Sequence, residues 1–247
     1  VQDTDAIAQA DVGCAIGRFG ADVAKGNADI IIANNRFGSV VNAVRESRGL
    51  FSNIRKSVYY LFSCNFAEIL VVLIGMLIFG MPPVAAVQLL WINLLTDCAP
   101  AISLSMEGAE QRVMSSKPLS SLGRIFDYKS AATVAVQSVF MTVMTFIAFA
   151  MGNAFGDNTT AMTMAFATLG ITQIFHCFNS KFEGTLINRQ IFANRFMNIS
   201  VGVTLFIILY LIFTPAGALF GLYVLSFGQF IVCLALAFAI VPATELL

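Results

Sequence analysis

An all-α polytopic membrane bundle of six transmembrane helices, led by a short α/β segment, is the architecture this chain encodes. Three features point to it. The composition is 58% hydrophobic and only 11% charged, with a mean hydropathy of +0.82, whereas soluble domains carry about 25% charged residues. Six apolar runs are each long enough to cross a bilayer, which takes about 20 helical residues. The basic residues fall on one side of those runs.

Residues 1–56 are mixed and polar and read as holding no secretory signal, the first long apolar run coming after them. ADVGCAIG reads as a strand ending in glycine, and GADVAKGNADIIIAN as a helix followed by a buried strand. This α/β pattern is too short to stand alone as a domain. The start, VQDTDAIAQADVG, reads as the interior of a longer polypeptide. From Gly38 the pattern turns helical: VVNAVRESRGLFSNIRKSVYYLF has apolar positions at helical spacing and no proline. Residues 38–56 therefore form a stalk that runs unbroken into the first span. A helix from Gly38 to Phe79 would be roughly 60 Å long, able to carry motion from a soluble region into the bilayer.

The membrane region, 57–247, holds spans at approximately 57–79, 86–106, 129–151, 160–178, 196–213 and 222–243. Gly80-Met81-Pro82-Pro83 joins the first two as a tight hairpin, Gly152 to Thr160 the third and fourth, and Thr214 to Gly221 the last two. The other two connections are longer and basic, one with Arg112, Lys117 and Arg124, the other with Lys181, Arg189 and Arg195. With the N-terminal segment and the C-terminus in the cytoplasm, all fourteen Lys and Arg residues lie in cytoplasmic segments or at cytoplasmic helix ends. The positive-inside rule predicts that distribution. The five cysteines are scattered, with no CxxC spacing, and read as small buried hydrophobes rather than metal or disulfide partners.

Of the fourteen acidic residues, only Glu68 and Asp97 sit well within apolar spans. A carboxylate there costs at least a few kcal/mol on insertion scales, so it marks function unless a neighbouring helix satisfies it in protonated form. Asn65 lies three residues before Glu68, on the same helix face. Asn93, Thr96 and Asp97 share one face of the second span. Short-hairpin neighbours are antiparallel, so the two faces can meet, bringing together two carboxylates, two amide carbonyls and a hydroxyl. Such hard oxygen donors suit calcium, and less tightly magnesium, manganese or alkali ions. Pro100 has no N–H for the carbonyl of Thr96, four residues earlier. That carbonyl is a further candidate ligand, since irregular backbone is tolerated at membrane depth where it lines a cavity. Gly75 permits either a close helix approach or a bend. The sole histidine, His176, is read as structural.

These residues carry a resemblance. NFAE (Asn65 to Glu68) and LLWINLLTDCAPAISL (Leu89 to Leu104) resemble the fifth and sixth transmembrane helices of calcium-transporting P-type ATPases, bacterial members above all. VQDTDAIAQADVGCAIG is similar, without gaps, to VNDAPALKAADVGIAMG, which follows the GDG of that family's GDGxND hinge motif. The likeness continues through NIRKSVYYLFSCN, MEGAEQRVMSSKP, ITQIFHCFNS and AFAIVPATELL, covering the whole chain in order.

The resemblance implies that the six spans are the family's fifth to tenth, and that residues 1–37 are a remnant of its phosphorylation domain. It implies an ion site of Asn65, Glu68, Asn93, Thr96 and Asp97, with Asp3 near the Mg2+ and phosphate of the hinge. Gln173 stands where two-ion calcium pumps carry Glu; its amide is a weaker candidate ligand. Gln2 and Asp5 replace the usual Asn and Pro, and Asn34-Asn35-Arg36-Phe37 replaces an acidic pair before Asn-Phe. Sodium and potassium pumps usually have Asp where this chain has Asn93, which favours Ca2+ as the transported ion.

The implied parent protein uses ATP and Mg2+, sits in a bacterial plasma membrane and binds no nucleic acid. This chain has no DKTGT phosphorylation motif, no TGE loop, no nucleotide domain and none of the first four membrane helices. It needs that missing part and is expected to hydrolyse no ATP alone. The competing class is a non-enzymatic membrane channel or accessory subunit.

Overall fold

The structure is a computed structural model and describes residues 3–17, 20–34, 36–108, 113–115, 127–181 and 191–245. Gln2, Asn35 and the basic residues Arg18, Arg112, Lys117, Arg124 and Arg189 lie outside them. The chain divides into two compact units, one of Val1–Phe51 with Gly108–Pro118, the other of Ser52–Glu107 with Leu119–Leu247.

In the first unit, helix α1 (Thr4–Gln9) precedes strand β1 (Cys14–Ile16), helix α2 (Asp22–Gly26) and strand β2 (Ile30–Ile32). The strands pair in parallel, Cys14 opposite Ile30 and Ile16 opposite Ile32. The Asp29 carboxylate accepts the N–H of Gly13 at 2.8 Å, fixing the approach to β1. The order strand, helix, strand matches the sequence pattern, but the second strand is not buried: Ile30 and Ile31 are exposed. Two strands of three residues enclose almost no core, and a two-stranded sheet is marginal by itself. Asp3 is exposed, in the turn that leads into α1.

Helix α3 runs without interruption from Phe37 to Phe79, as the proline-free pattern predicts. Among the described residues six helices are long and apolar enough to cross a membrane, and the protein is a multi-pass membrane protein. The second is composite: α4 (Ala86–Ile92), a π-helical turn (Asn93–Cys98) and α5 (Ala99–Ser105). The third is α6 (Tyr128–Phe155), the fourth α7 (Asn158–Ser180) and the fifth α8 (Arg195–Phe213). The last apolar run becomes helical only at Phe227: Pro215–Phe220 is a 3-10 turn closed by Gly221 in the left-handed conformation, and α9 (Phe227–Phe238) and α10 (Ile240–Glu245) follow.

Helix α7 is the centre of the second unit. It is buried along nearly its whole length, and its Met164, Phe166, Leu169 and Ile171 join Val71, Ile92, Phe149, Ile208 and Cys233 in the main core. Polar residues on it are satisfied locally where they can be; Thr163 and Thr172 donate to the carbonyls of Thr159 and Thr168, one turn back. Helices α6 and α7 form a close hairpin. A Cβ on Gly152 would lie 2.4 Å from the Ala161 Cα, so only glycine permits the contact. Gly75 resolves likewise into a close approach, since a Cβ there would lie 2.1 Å from Cδ of Pro83. Cys64, Cys177 and Cys233 are buried as expected, whereas Cys98 is exposed, on the outer side of the π turn.

A candidate cation site at the π turn

The two faces singled out in the sequence do meet. Asn93 Nδ2 donates to Glu68 Oε2 at 2.7 Å, and Asn65 Nδ2 stands 3.4 Å from Asp97 Oδ2. Gln173, from α7, joins them: its Nε2 donates to Glu68 Oε1 at 2.9 Å and its Oε1 accepts the Thr96 hydroxyl at 2.8 Å. Glu68, Thr96, Asp97 and Gln173 are buried, Asn93 is half-buried and Asn65 is exposed. One oxygen of Asp97, Oδ1, is buried with no hydrogen-bond partner. Buried polar atoms are nearly always paired, so an orphaned carboxylate oxygen marks a place where a donor or a cation fits.

The backbone beneath these groups is irregular for a reason visible in the sequence. Pro100 cannot donate, and the helix widens into the π turn immediately before it; such turns recur at functional sites. Pro100 itself falls in the first turn of α5, where a missing N–H is tolerated. The carbonyl of Thr96, expected to be freed, is engaged: the hydroxyl of Tyr60 donates to it at 2.6 Å. Tyr60 is fully buried and stacks on His176, ring centroids 5.7 Å apart. His176 Nε2 lies 2.7 Å from the Ser63 hydroxyl, so the histidine braces α3 against α7. Asp3 belongs to the other unit.

Sequence reasoning found the carboxylates and amides because charge inside an apolar run is conspicuous. It missed Tyr60, whose hydroxyl is compatible with any position in a membrane helix. The available signal was Pro100, which withholds an N–H and so demands donors from neighbours.

Chemically the cluster offers oxygen donors of one hardness. Each amide presents its NH2 to a carboxylate, and a half-turn of that amide would present its carbonyl instead. The same side chains can thus serve an anion as donors and a cation as acceptors. Among the described residues no group of three or more His, Cys, Asp and Glu side chains gathers, so the carboxylate charge here is that of Glu68 and Asp97.

Residues 81–247 match the family model described as cation transporting ATPase, C-terminus. Calcium-transporting ATPase 1 of Bacillus cereus is 34% identical over 246 residues, 92% of this chain and 28% of that protein. A calcium-transporting ATPase of Bacillus subtilis is 34% identical over 217 residues, 87% of this chain and 24% of that protein. A sodium/potassium exporting P-type ATPase of Schizosaccharomyces pombe is 32% identical over 165 residues, 64% of this chain and 16% of that protein. The chain spans about a quarter of the length of the two Bacillus proteins. With the family model covering most of the sequence, this chain belongs to the cation-transporting P-type ATPases and corresponds to the C-terminal membrane region of its members.

Proposed function

We propose that the chain is the ion-binding and lever portion of an ATP-driven pump that exports Ca2+ from the cytoplasm. The observation that carries this is the buried pair Glu68 and Asp97, ringed by Asn65, Asn93, Thr96 and Gln173, with Asp97 Oδ1 unpartnered. Two carboxylates balance one divalent charge, and carboxylate, amide and hydroxyl oxygens are the donors calcium takes. Asn93 in place of an aspartate supports calcium over sodium or potassium, and the calcium-transporting names of the Bacillus relatives support the same choice.

The exposed amide of Asn65 is the open side of the cluster. A further membrane helix from the rest of the pump, bringing a glutamate and backbone carbonyls, would complete the site there. ATP and Mg2+ act in the complete protein. Asp3, a single exposed carboxylate, would contribute one hard oxygen to the Mg2+ and phosphate region, with the other ligands coming from outside this chain. Residues 1–37 would be the end of the phosphorylation domain, 38–56 the stalk, and 57–247 the transmembrane domain. Rearrangement of the cytoplasmic domains during aspartyl phosphorylation would pass through α3 to Asn65 and Glu68. The setting is a bacterial plasma membrane with both ends of the chain in the cytoplasm.

In the complete pump, Asp97→Asn should abolish calcium-dependent phosphorylation by ATP, because a neutral amide cannot balance the cation. Phosphorylation with unchanged calcium dependence would remove the ion site from this position. The 247-residue chain alone should form no phosphoenzyme from radiolabelled ATP.

A further inference from the structure

Pro100 withholds one N–H, and which carbonyl that N–H would have served depends on the helical register. A residue at position 100 would donate its N–H to Thr96 in an α-helix and to Leu95 in a π-helix. Both carbonyls are met by hydroxyls from other helices. Tyr60 of α3 serves Thr96 at 2.6 Å, and Thr204 of α8 serves Leu95 from its Oγ1 at 2.9 Å.

The Thr204 contact is built rather than incidental. Threonine in a helix commonly returns its hydroxyl to the carbonyl one turn back, as Thr142, Thr145, Thr163 and Thr172 do here. Thr204 instead directs its proton across to the π turn. It lies on the buried face of α8 with Met197, Ile208 and Leu211. That face fits closely: a Cβ on Gly170 of α7 would lie 3.0 Å from Ile208 Cδ1 and 3.9 Å from Thr96 Cγ2. Gly170 thus lets α8 draw up to the π turn beside one of the candidate ligands.

We infer that Thr204 is a positioning residue for the cation site: it pins the π turn and so sets where Asn93, Thr96 and Asp97 point. Helix α8 supplies no candidate ligand, and its contribution is the register of the segment that does. This rests on the ion-site reading above.

The test uses the complete pump, with phosphorylation by ATP measured across calcium concentrations. Thr204→Val keeps the side-chain volume and removes the donor. The half-saturating calcium concentration should rise several-fold while the maximal phosphoenzyme level is retained, and Thr204→Ser should restore the wild-type value. A threonine that only packs would lower the melting temperature and leave half-saturation where it was; that result overturns the inference. Should Thr204→Val yield no folded protein, Thr204→Cys offers a weaker donor of similar size. An intermediate shift supports the role, and no shift refutes it. Asp97→Asn, run alongside, separates the two readings. If it abolishes calcium dependence while Thr204→Val changes nothing, only the role of Thr204 fails. If it changes nothing, the ion site fails and the role of Thr204 with it.

Discussion

Removing the Tyr60 hydroxyl leaves the Thr96 carbonyl buried without a partner, at a cost of about 1–3 kcal/mol. Tyr60→Phe should therefore lower the melting temperature of the detergent-solubilised protein although it changes only one atom. If the proposed ion site is right, it should also weaken calcium binding in the complete pump, because Thr96 and Asp97 share the loosened turn. A melting temperature equal to wild type would show that water replaces the lost donor. At this scale the sequence was legible in proportion to how costly a residue is in lipid. Glu68 and Asp97 stood out because ionised groups are expensive there, and Asn65 and Asn93 followed from helical spacing. Tyr60 and Thr204 did not stand out, because a hydroxyl is cheap enough to sit anywhere. Only the tertiary pairing reveals that each donates to a carbonyl of the turn where Pro100 withholds an N–H.

Among the elements, the α6–α7 hairpin is the most sharply determined. Its turn is capped by Asp157, whose carboxylate accepts the N–H of Thr160 at 2.9 Å and its hydroxyl at 3.0 Å. Those bonds, the backbone one first, hold its pKa below the ordinary carboxylate range. A lowered folded pKa means that the cap stabilises the hairpin above the unfolded value of about 3.9. That contribution is lost as pH falls through the lower folded value. Asp157→Ala should melt below wild type at neutral pH, and the gap should close in acid; a gap independent of pH would mean the charge is irrelevant. Lower in the hairpin, Gly152→Ala would drive a Cβ against the Ala161 backbone. About 1–3 kcal/mol of overpacking should appear as a lower melting temperature. The helices themselves were legible from apolar length, and the long α3 from its lack of proline. Less legible were irregularities set by turn chemistry. The π turn before Pro100 interrupts the second span, and Pro215 with Gly221 delays the last one to Phe227. Strand β2 carries three isoleucines, and within this chain the two-stranded sheet leaves Ile30 and Ile31 exposed.

Over the whole membrane unit, a buried polar knot ties four segments together. Lys181, at the end of α7, pairs with Glu107 beyond α5 at 3.3 Å and donates to the Ile191 carbonyl. Asn194, which caps α8, donates to Glu107 and to Ser103, while Lys56 of α3 donates to the Lys181 carbonyl at 3.0 Å. Lys181→Met would leave the Glu107 charge without its cation, at a cost of about 3–5 kcal/mol. Its melting temperature should fall further than that of any surface Lys→Met control; equal losses would show the pair to be solvated. No sequence pattern announced this knot, because its members are spread from residue 56 to residue 194.

The burial of α7 also bears on how the protein is made. Its apolar stretch is less hydrophobic than those of α6 and α3. The helix that ends deepest in the bundle is therefore poorly suited to leave the translocation channel for lipid by itself. Its threonines can return their hydroxyls to carbonyls one turn back, but Gln173 finds its partners only on other helices, and α6, packed against α7 through Gly152 and Ala161, is the neighbour synthesised immediately before. Insertion as a pair would shield the polar side of α7 during biogenesis. A glycosylation-mapping assay should find α7 alone inserting inefficiently and the α6–α7 hairpin inserting fully.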